Sequence, residues 1–248
     1  MRVAVLSDIH GALPALEAVL AEPEVAAADR ILLTGDMAAG PMPVETLDAL
    51  VELGERAVWV NGNADRELVE AVRGKPSAYA ISQWAAQRLR PDQVELLAAL
   101  PDRRVLELGR LGTVLFVHAT PRSDEEMILV DSSLERWAEV LAGEDADTVV
   151  LGNTHMPFAR LADRVLAVNP GSVGMPYGRG GAHWALLDGE TGAVTLRSTP
   201  LDATRVGERL LAGSGFDEIG EWVESYVTTV HSDAAALRAF ALAEGRAG

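Results

Sequence analysis

Three short apolar runs open the chain, Val3 to Leu6, Arg30 to Leu33 and Ala57 to Val60, and stretches of helical periodicity separate them. Leu13, Leu16, Val19 and Leu20 recur at three- and four-residue steps, which predicts an amphipathic helix over 12–21. Pro43 suits the first turn of a second helix, with Val44, Leu47, Leu50 and Val51 on its inner face. Strand, helix, strand, helix, strand at this spacing is the pattern of a parallel sheet with right-handed crossovers. Open sheets of that kind bind ligands beyond the carboxyl ends of their strands. The residues that follow each apolar run are therefore the ones to read for chemistry.

The first run stops at Ser7-Asp8-Ile9-His10-Gly11, the second at Thr34-Gly35-Asp36, and the third at Asn61-Gly62-Asn63-Ala64-Asp65. A helical middle follows over 67–72, 78–89 and 92–100, punctuated by Pro76, Pro91 and Pro101, with Trp84 expected inside this layer. Val105 to Leu108 and Thr113 to Val117 read as a hairpin whose second strand ends at His118. A helix around 134–141 leads to Thr148 to Leu151, which ends at Gly152-Asn153-Thr154-His155. A second hairpin over 158–168 runs into Asn169-Pro170-Gly171-Ser172-Val173-Gly174, and His183 to Leu187 pairs with Ala193 to Arg197. Residues 201–248 read as helices with breaks at Gly213 to Gly215 and near Ser232. The simplest organisation is a domain over 1–200 with a C-terminal helical extension, 201–248, packed on it.

Composition narrows the function classes. A net charge of -16 opposes nonspecific nucleic-acid binding, which needs a basic surface. It does not oppose a small phosphate substrate, because bound cations reverse the local field. With no cysteine, disulfides, thiolate metal sites and cysteine nucleophiles are excluded. No apolar stretch approaches a membrane span, and the few apolar residues before Asp8 do not make a signal peptide, so a soluble, cytoplasmic protein is expected.

The five strand ends carry Asp8 and His10, Asp36, Asn63, His118, then Asn153 and His155. Each has an ordinary structural reading. Asp36 can cap a turn, Asn63 can occupy a left-handed one, and a histidine at a strand end can simply be packed. Together they form a mixed nitrogen and oxygen donor set suited to Mn, Fe, Ni or Zn rather than Ca. A two-ion arrangement needs one bridging carboxylate, for which Asp36 is the natural candidate. Two cations about 3.5–4 Å apart polarise a phosphoryl oxygen and supply a bridging hydroxide as nucleophile.

Asp8-x-His10, Gly35-Asp36, Gly62-Asn63-x-Asp65, His118 and Gly152-x-x-His155 stand in the order of the calcineurin-like metallophosphoesterase signature. The short, cap-less chain resembles the small bacterial and archaeal phosphodiesterases of that superfamily, and Asn169 to Gly174 looks like a segment common in that branch. The resemblance implies an α/β fold, a two-layer β-sandwich of mixed sheets flanked by helices. It also implies Asp8, His10, Asp36 and His155 around a first metal, with Asp36 bridging to a second held by Asn63, His118 and the residue at 153. Asn63, His118 and Asp65 would serve the catalytic step.

Two positions depart from the pattern. Asn153 stands where the family most often has histidine, so the second metal is expected to bind more weakly. Ala64 replaces a histidine that in many members contacts phosphate and assists the leaving group, help worth about 10²–10⁴-fold. Asp65, without that partner, is expected to orient Asn63 or a water. Arg122 and Arg179 are candidate phosphate contacts, although a solvated surface arginine is the commoner outcome. His183 reads as structural and His231 as a tail residue near Asp233. Trp222 and Tyr226, four apart, read as a packed pair or, if exposed, a dimer contact, so a homo-oligomer stays open. The leading expectation is a dinuclear phosphoesterase that prefers diesters, with a binding scaffold without turnover and a single-metal phosphatase as alternatives.

Overall fold

The computed structural model describes residues 1–245. In chain order the elements are β1 (Arg2–Leu6), α1 (Leu13–Leu20), α2 (Pro23–Ala26), β2 (Arg30–Leu33), α3 (Pro43–Val51), β3 (Ala57–Trp59), α4 (Asn63–Val72), α5 (Ala80–Ala86) and α6 (Pro91–Ala98). They continue through β4 (Arg103–Glu107), β5 (Thr113–Val117), α7 (Leu134–Val140), β6 (Thr148–Val150), β7 (Phe158–Ala162), β8 (Val165–Asn169), β9 (Ala182–Asp188) and β10 (Ala193–Thr199). The chain closes with α8 (Ala203–Gly213), α9 (Ile219–Val223), a π turn over Glu224–Thr228, and α10 (Asp233–Ala243). None of these helices is long and apolar enough to cross a membrane.

Two five-stranded mixed sheets result, ordered β10-β9-β1-β2-β3 and β4-β5-β6-β8-β7. The expected parallel trio β1-β2-β3 is present, and so is the parallel run β5-β6-β8. Strand β9 extends the first trio by pairing antiparallel with β1. Alternation along each strand divides its side chains between two layers, as strand geometry requires. Val3 and Val5 of β1 meet Val114 and Phe116 of β5 between the sheets, while Ala4 and Leu6 face the helices. On the far side, Leu115 and Val117 pack under α7 with Trp137. The sheets therefore stack face to face with helices outside, and the C-terminal ends of β1, β2, β3, β5 and β6 open toward one region.

Several local expectations need correction. Helix α4 starts at Asn63 rather than 67, because Gly62 occupies the N-cap and the Asp65 carboxylate accepts the Gly62 N–H at 3.1 Å. On α3, Val51 points to solvent and Thr46 takes the buried place. Trp84 is only partly buried; its Nε1 donates to the Gly215 carbonyl at 3.2 Å, and the Arg88 guanidinium lies 3.9 Å above its ring. From the C-terminal helices, Val206, Leu210, Trp222 and Val223 share one buried cluster with Leu6, Leu16 and Leu33.

Candidate metal centre

Each strand end places its polar side chains at one buried spot. Asp8 and His10 follow β1, Asp36 follows β2, Asn63 opens α4 after β3, His118 follows β5, and Asn153 with His155 follows β6. Asp8, Asp36, His10, His118 and His155 are all buried. Asp8, His10, Asp36, Asn153 and His155 have φ between 47° and 64°, the left-handed region where residues other than glycine are uncommon. At each turn the backbone reverses sharply enough to aim its side chain inward.

The three histidines share one orientation. The Nδ1 atoms of His10, His118 and His155 face the carbonyls of Ala39, Thr34 and Met175 at 3.3, 2.6 and 2.9 Å. Carbonyl oxygens only accept, so Nδ1 carries the proton and Nε2 turns to the centre, the arrangement that orients metal-binding imidazoles. There, His10 Nε2 lies 3.2 Å from His155 Nε2, and His118 Nε2 lies 3.0 Å from Asn63 Oδ1. Asp36 Oδ2 sits 3.6 Å from His10 Nε2 and 3.5 Å from His118 Nε2, and Asp8 Oδ1 sits 3.3 Å from His155 Nε2. Lone pairs therefore face lone pairs across a few ångströms, a disposition that only protons or cations relieve. The donor set thus fits divalent ions of the nitrogen- and oxygen-binding class. Asp8, His10 and His155 form one compact group of potential ligands, and Asp8, Asp36 and His118 another.

The titration behaviour has the same origin. Burial works against the charged imidazole of His118, but the Asp36 and Asp8 carboxylates outweigh it and push it up to about 10. Burial likewise disfavours the charged His155, and the Asp8 carboxylate reverses the balance upward. For His10, burial prevails and holds it below its usual range. Burial also penalises the ionised Asp36, yet His118 and His10 take it below the ordinary carboxylate range.

Two glycines let the loops close this tightly. Gly35 has φ +96°, and a side chain there would begin 2.6 Å from both Gly62 Cα and His118 Nδ1. A side chain on Gly62 would collide with the Asp36 carboxylate. The Asn169–Gly174 segment ties the two sheets together. Asn169 Nδ2 donates to the Gly152 carbonyl at 2.7 Å, and Ser172 Oγ donates to the Asp8 carbonyl at 2.7 Å. Ser7 Oγ, 2.5 Å from Asp8 Oδ2, and the Asn153 N–H, 3.2 Å from each Asp8 oxygen, fix that carboxylate.

Asp65 makes its hydrogen bonds to backbone N–H groups. It is fully buried, and its oxygens accept the N–H groups of Asp36, Met37 and Gly62 at 2.7, 2.9 and 3.1 Å. It clamps the loop that carries Asp36. Burial, reinforced by the neighbouring Asp36 charge, raises its carboxyl to about 7. Ala64 donates its N–H to Asp36 Oδ1 at 2.8 Å. The Asn153 side chain turns its amide nitrogen toward Met127 Sδ, 3.7 Å away.

A cavity of about 330 Å³ opens onto His10, Asp36, Asn63, Asn153 and His155. Glu67, missed in the sequence, lines it one helical turn after Asn63. His118 lines a second opening, which Arg122 shares. The Arg122 guanidinium, however, donates to Glu126 at 2.6 and 2.8 Å and to Glu139 at 2.8 Å. Replacing Arg122 by alanine is therefore expected to leave stability and turnover nearly unchanged, because an exposed ion pair contributes little. A clear rise in KM would show that the guanidinium leaves its carboxylates for substrate. Arg179 lines a different cavity, beside Ala12, Gly174 and Thr228. His183 is buried against Gly171, and the exposed His231 has Nε2 3.1 Å from the Ser225 carbonyl. Trp222 is 6% exposed and packs within the chain against Tyr226 in a tilted contact, ring centres 5.2 Å apart.

Two mixed sheets with buried carboxylates and imidazoles at their shared strand ends define an α/β protein with a candidate cation site. The chain belongs to the calcineurin-like phosphoesterase superfamily, whose domain model matches residues 1–192. Phosphodiesterase YfcE of Escherichia coli (strain K12) is 26% identical over 199 residues, covering 77% of this chain and 89% of its own length. A metallophosphoesterase from Sphaerobacter thermophilus (24% identity, TM-score 0.73) and protein PH1004 from Pyrococcus horikoshii OT3 (21%, TM-score 0.78) have the same fold. Each alignment covers 92% of this chain and 99% of the other.

Proposed function

We propose that this chain is a dinuclear metal-dependent phosphoesterase acting on small phosphodiesters. The observation that carries the reading is the convergence of three imidazole Nε2 atoms and two buried carboxylates with their protonated nitrogens turned away. Asp8, His10, Asp36 and His155 would hold one ion, and Asn63, His118 and Asn153 the other. Asp36, between His10 and His118, and Asp8, common to both ligand groups, are the carboxylates placed to serve two ions. Bound Mn, Fe, Ni or Zn would supply Lewis-acid stabilisation of phosphoryl oxygens and water ionised near neutral pH. Asn63 and His118 stand where they can also touch the phosphate, and Asp65 holds the Asp36 loop in register.

Diesters are favoured because, among the described residues, no arginine or lysine lines the cavity beside His10 and Asp36. A diester carries one negative charge per phosphorus, so it asks least of such a wall. The turn of the Asn153 amide toward Met127 favours a second reading in which only the Asp8, His10, Asp36 and His155 ion binds tightly. One experiment tests both. Metal-reconstituted protein is assayed on phosphodiesters and monoesters with and without chelator, beside an Asn153→His variant. Hydrolysis lost on chelation supports the phosphoesterase. The imidazole of the variant is expected to raise metal stoichiometry toward two and the rate by about tenfold or more. An unchanged stoichiometry and rate would show that position 153 does not limit the second ion.

A further inference from the structure

The cavity over the candidate metal centre has an aromatic side that none of the phosphoesterase motifs supplies. Tyr177, Trp222, Tyr226 and Phe240 line it, joined by Tyr79 and Met127. The rings run outward without a break from a candidate ligand. His155 is 6.0 Å from Tyr177, and Tyr177 is 5.7 Å from Phe240, edge to face. Trp222 and Tyr226 add a second ring pair, tilted at 52° with centres 5.2 Å apart. Three of these rings belong to the C-terminal helices, and Tyr226 lies in the π turn after α9, an irregularity that often marks functional sites. Tyr177, Tyr226 and Phe240 are only partly buried, so apolar faces are left for a ligand. Beyond the candidate ligands, Glu67 adds negative charge, and among the described residues no arginine or lysine lines the cavity to hold the further phosphates of a polyphosphate.

Resting on the phosphodiesterase reading, we infer that the aromatic wall formed by Tyr177, Trp222, Tyr226 and Phe240 seats a planar aromatic substituent, an aryl group or a nucleobase, carried on the retained, non-leaving oxygen of a singly charged phosphodiester. The wall supplies dispersion and stacking to a ring of any hydrogen-bonding pattern. The C-terminal extension is then the part of the chain that selects substrate, and the sandwich is the part that performs hydrolysis.

The test compares three esters with one leaving group: methyl p-nitrophenyl phosphate, bis(p-nitrophenyl) phosphate and thymidine 5′-(p-nitrophenyl) phosphate. Reading each variant against wild type cancels the intrinsic reactivity of the esters. Phe240→Leu and Tyr226→Leu are expected to lower the aromatic-over-methyl preference in kcat/KM by about five- to tenfold each, mainly through KM, since stacking on one ring is worth about that factor. The bis-aryl and thymidine arms show whether the ring is a plain aryl group or a base. Calorimetric titration with adenosine and with p-nitrophenol, which lack phosphate, reads the wall without turnover. If no ester is cleaved but either probe binds, and binding is lost in Phe240→Leu, the wall stands and the phosphoesterase reading falls. If esters are cleaved with the wild-type preference retained in both variants, or if neither cleavage nor probe binding is seen, the wall is wrong.

Discussion

Replacing Asp36 by alanine should lower kcat/KM for a phosphodiester by about three orders of magnitude or more while leaving a folded chain. Asp36 Oδ2 lies between His10 and His118, so its loss removes negative charge from the point where both ligand groups meet. Lewis-acid stabilisation is worth several kcal/mol, and each 1.36 kcal/mol is a factor of about ten in rate. The other oxygen, Oδ1, accepts the Ala64 N–H at the start of α4, so alanine also loosens that helix. Asp36→Asn separates the two effects. Its amide oxygen keeps the Ala64 bond and its charge is gone, so it should melt above the alanine variant and hydrolyse as poorly. Metal content, melting temperature and steady-state rates on both variants decide the matter. Undiminished activity in either would remove Asp36 from the site.

Asp65→Ala is expected to act through the fold instead. Three buried N–H groups, on Asp36, Met37 and Gly62, lose their acceptor together. Each unsatisfied buried donor costs about 1–3 kcal/mol, although relief of the repulsion from Asp36 offsets part of it, so a net loss of about 3 kcal/mol is expected. Activity should fall as the Asp36 loop loses its position, and Asp65→Asn, which keeps one acceptor oxygen, should lie between. Denaturant unfolding and kcat/KM are to be measured on the same preparations. A variant that keeps full stability and loses only rate would instead assign Asp65 to the catalytic step, as the motif implies.

The parts of the molecule that were legible in the sequence are those written in short range. Val3 to Leu6, Arg30 to Leu33 and Thr113 to Val117 announce strands by composition alone, and the polar residues after each strand name the centre. Less was visible where the answer depends on distant partners. Nothing in the periodicity of His183 to Leu187 says that β9 will sit antiparallel beside β1. The role of Asp65 depended on where α4 begins. Once Asn63 is the first helical residue, Asp65 falls in the first turn, and its carboxylate reaches back to Gly62 and across to Asp36. Glu67 becomes visible by the same step, four residues after Asn63. Trp222, Tyr226 and Phe240 could not be linked to the centre at all from sequence, because only the packing of the C-terminal helices brings those rings to the cavity that Tyr177 and His155 share.

Asp8, His10, Asp36, Asn153 and His155 all hold left-handed backbone conformations. Such conformations cost of order 1 kcal/mol each for residues other than glycine and persist only where the surroundings impose them. The ligand geometry is therefore a property of the assembled sandwich and not of its motifs. A peptide spanning 1–20, or the same short motifs grafted onto a relaxed loop, would relax to extended backbone and scatter these side chains. The motif residues of this chain thus become a ligand set only on the strand ends that hold them in an unfavourable pose.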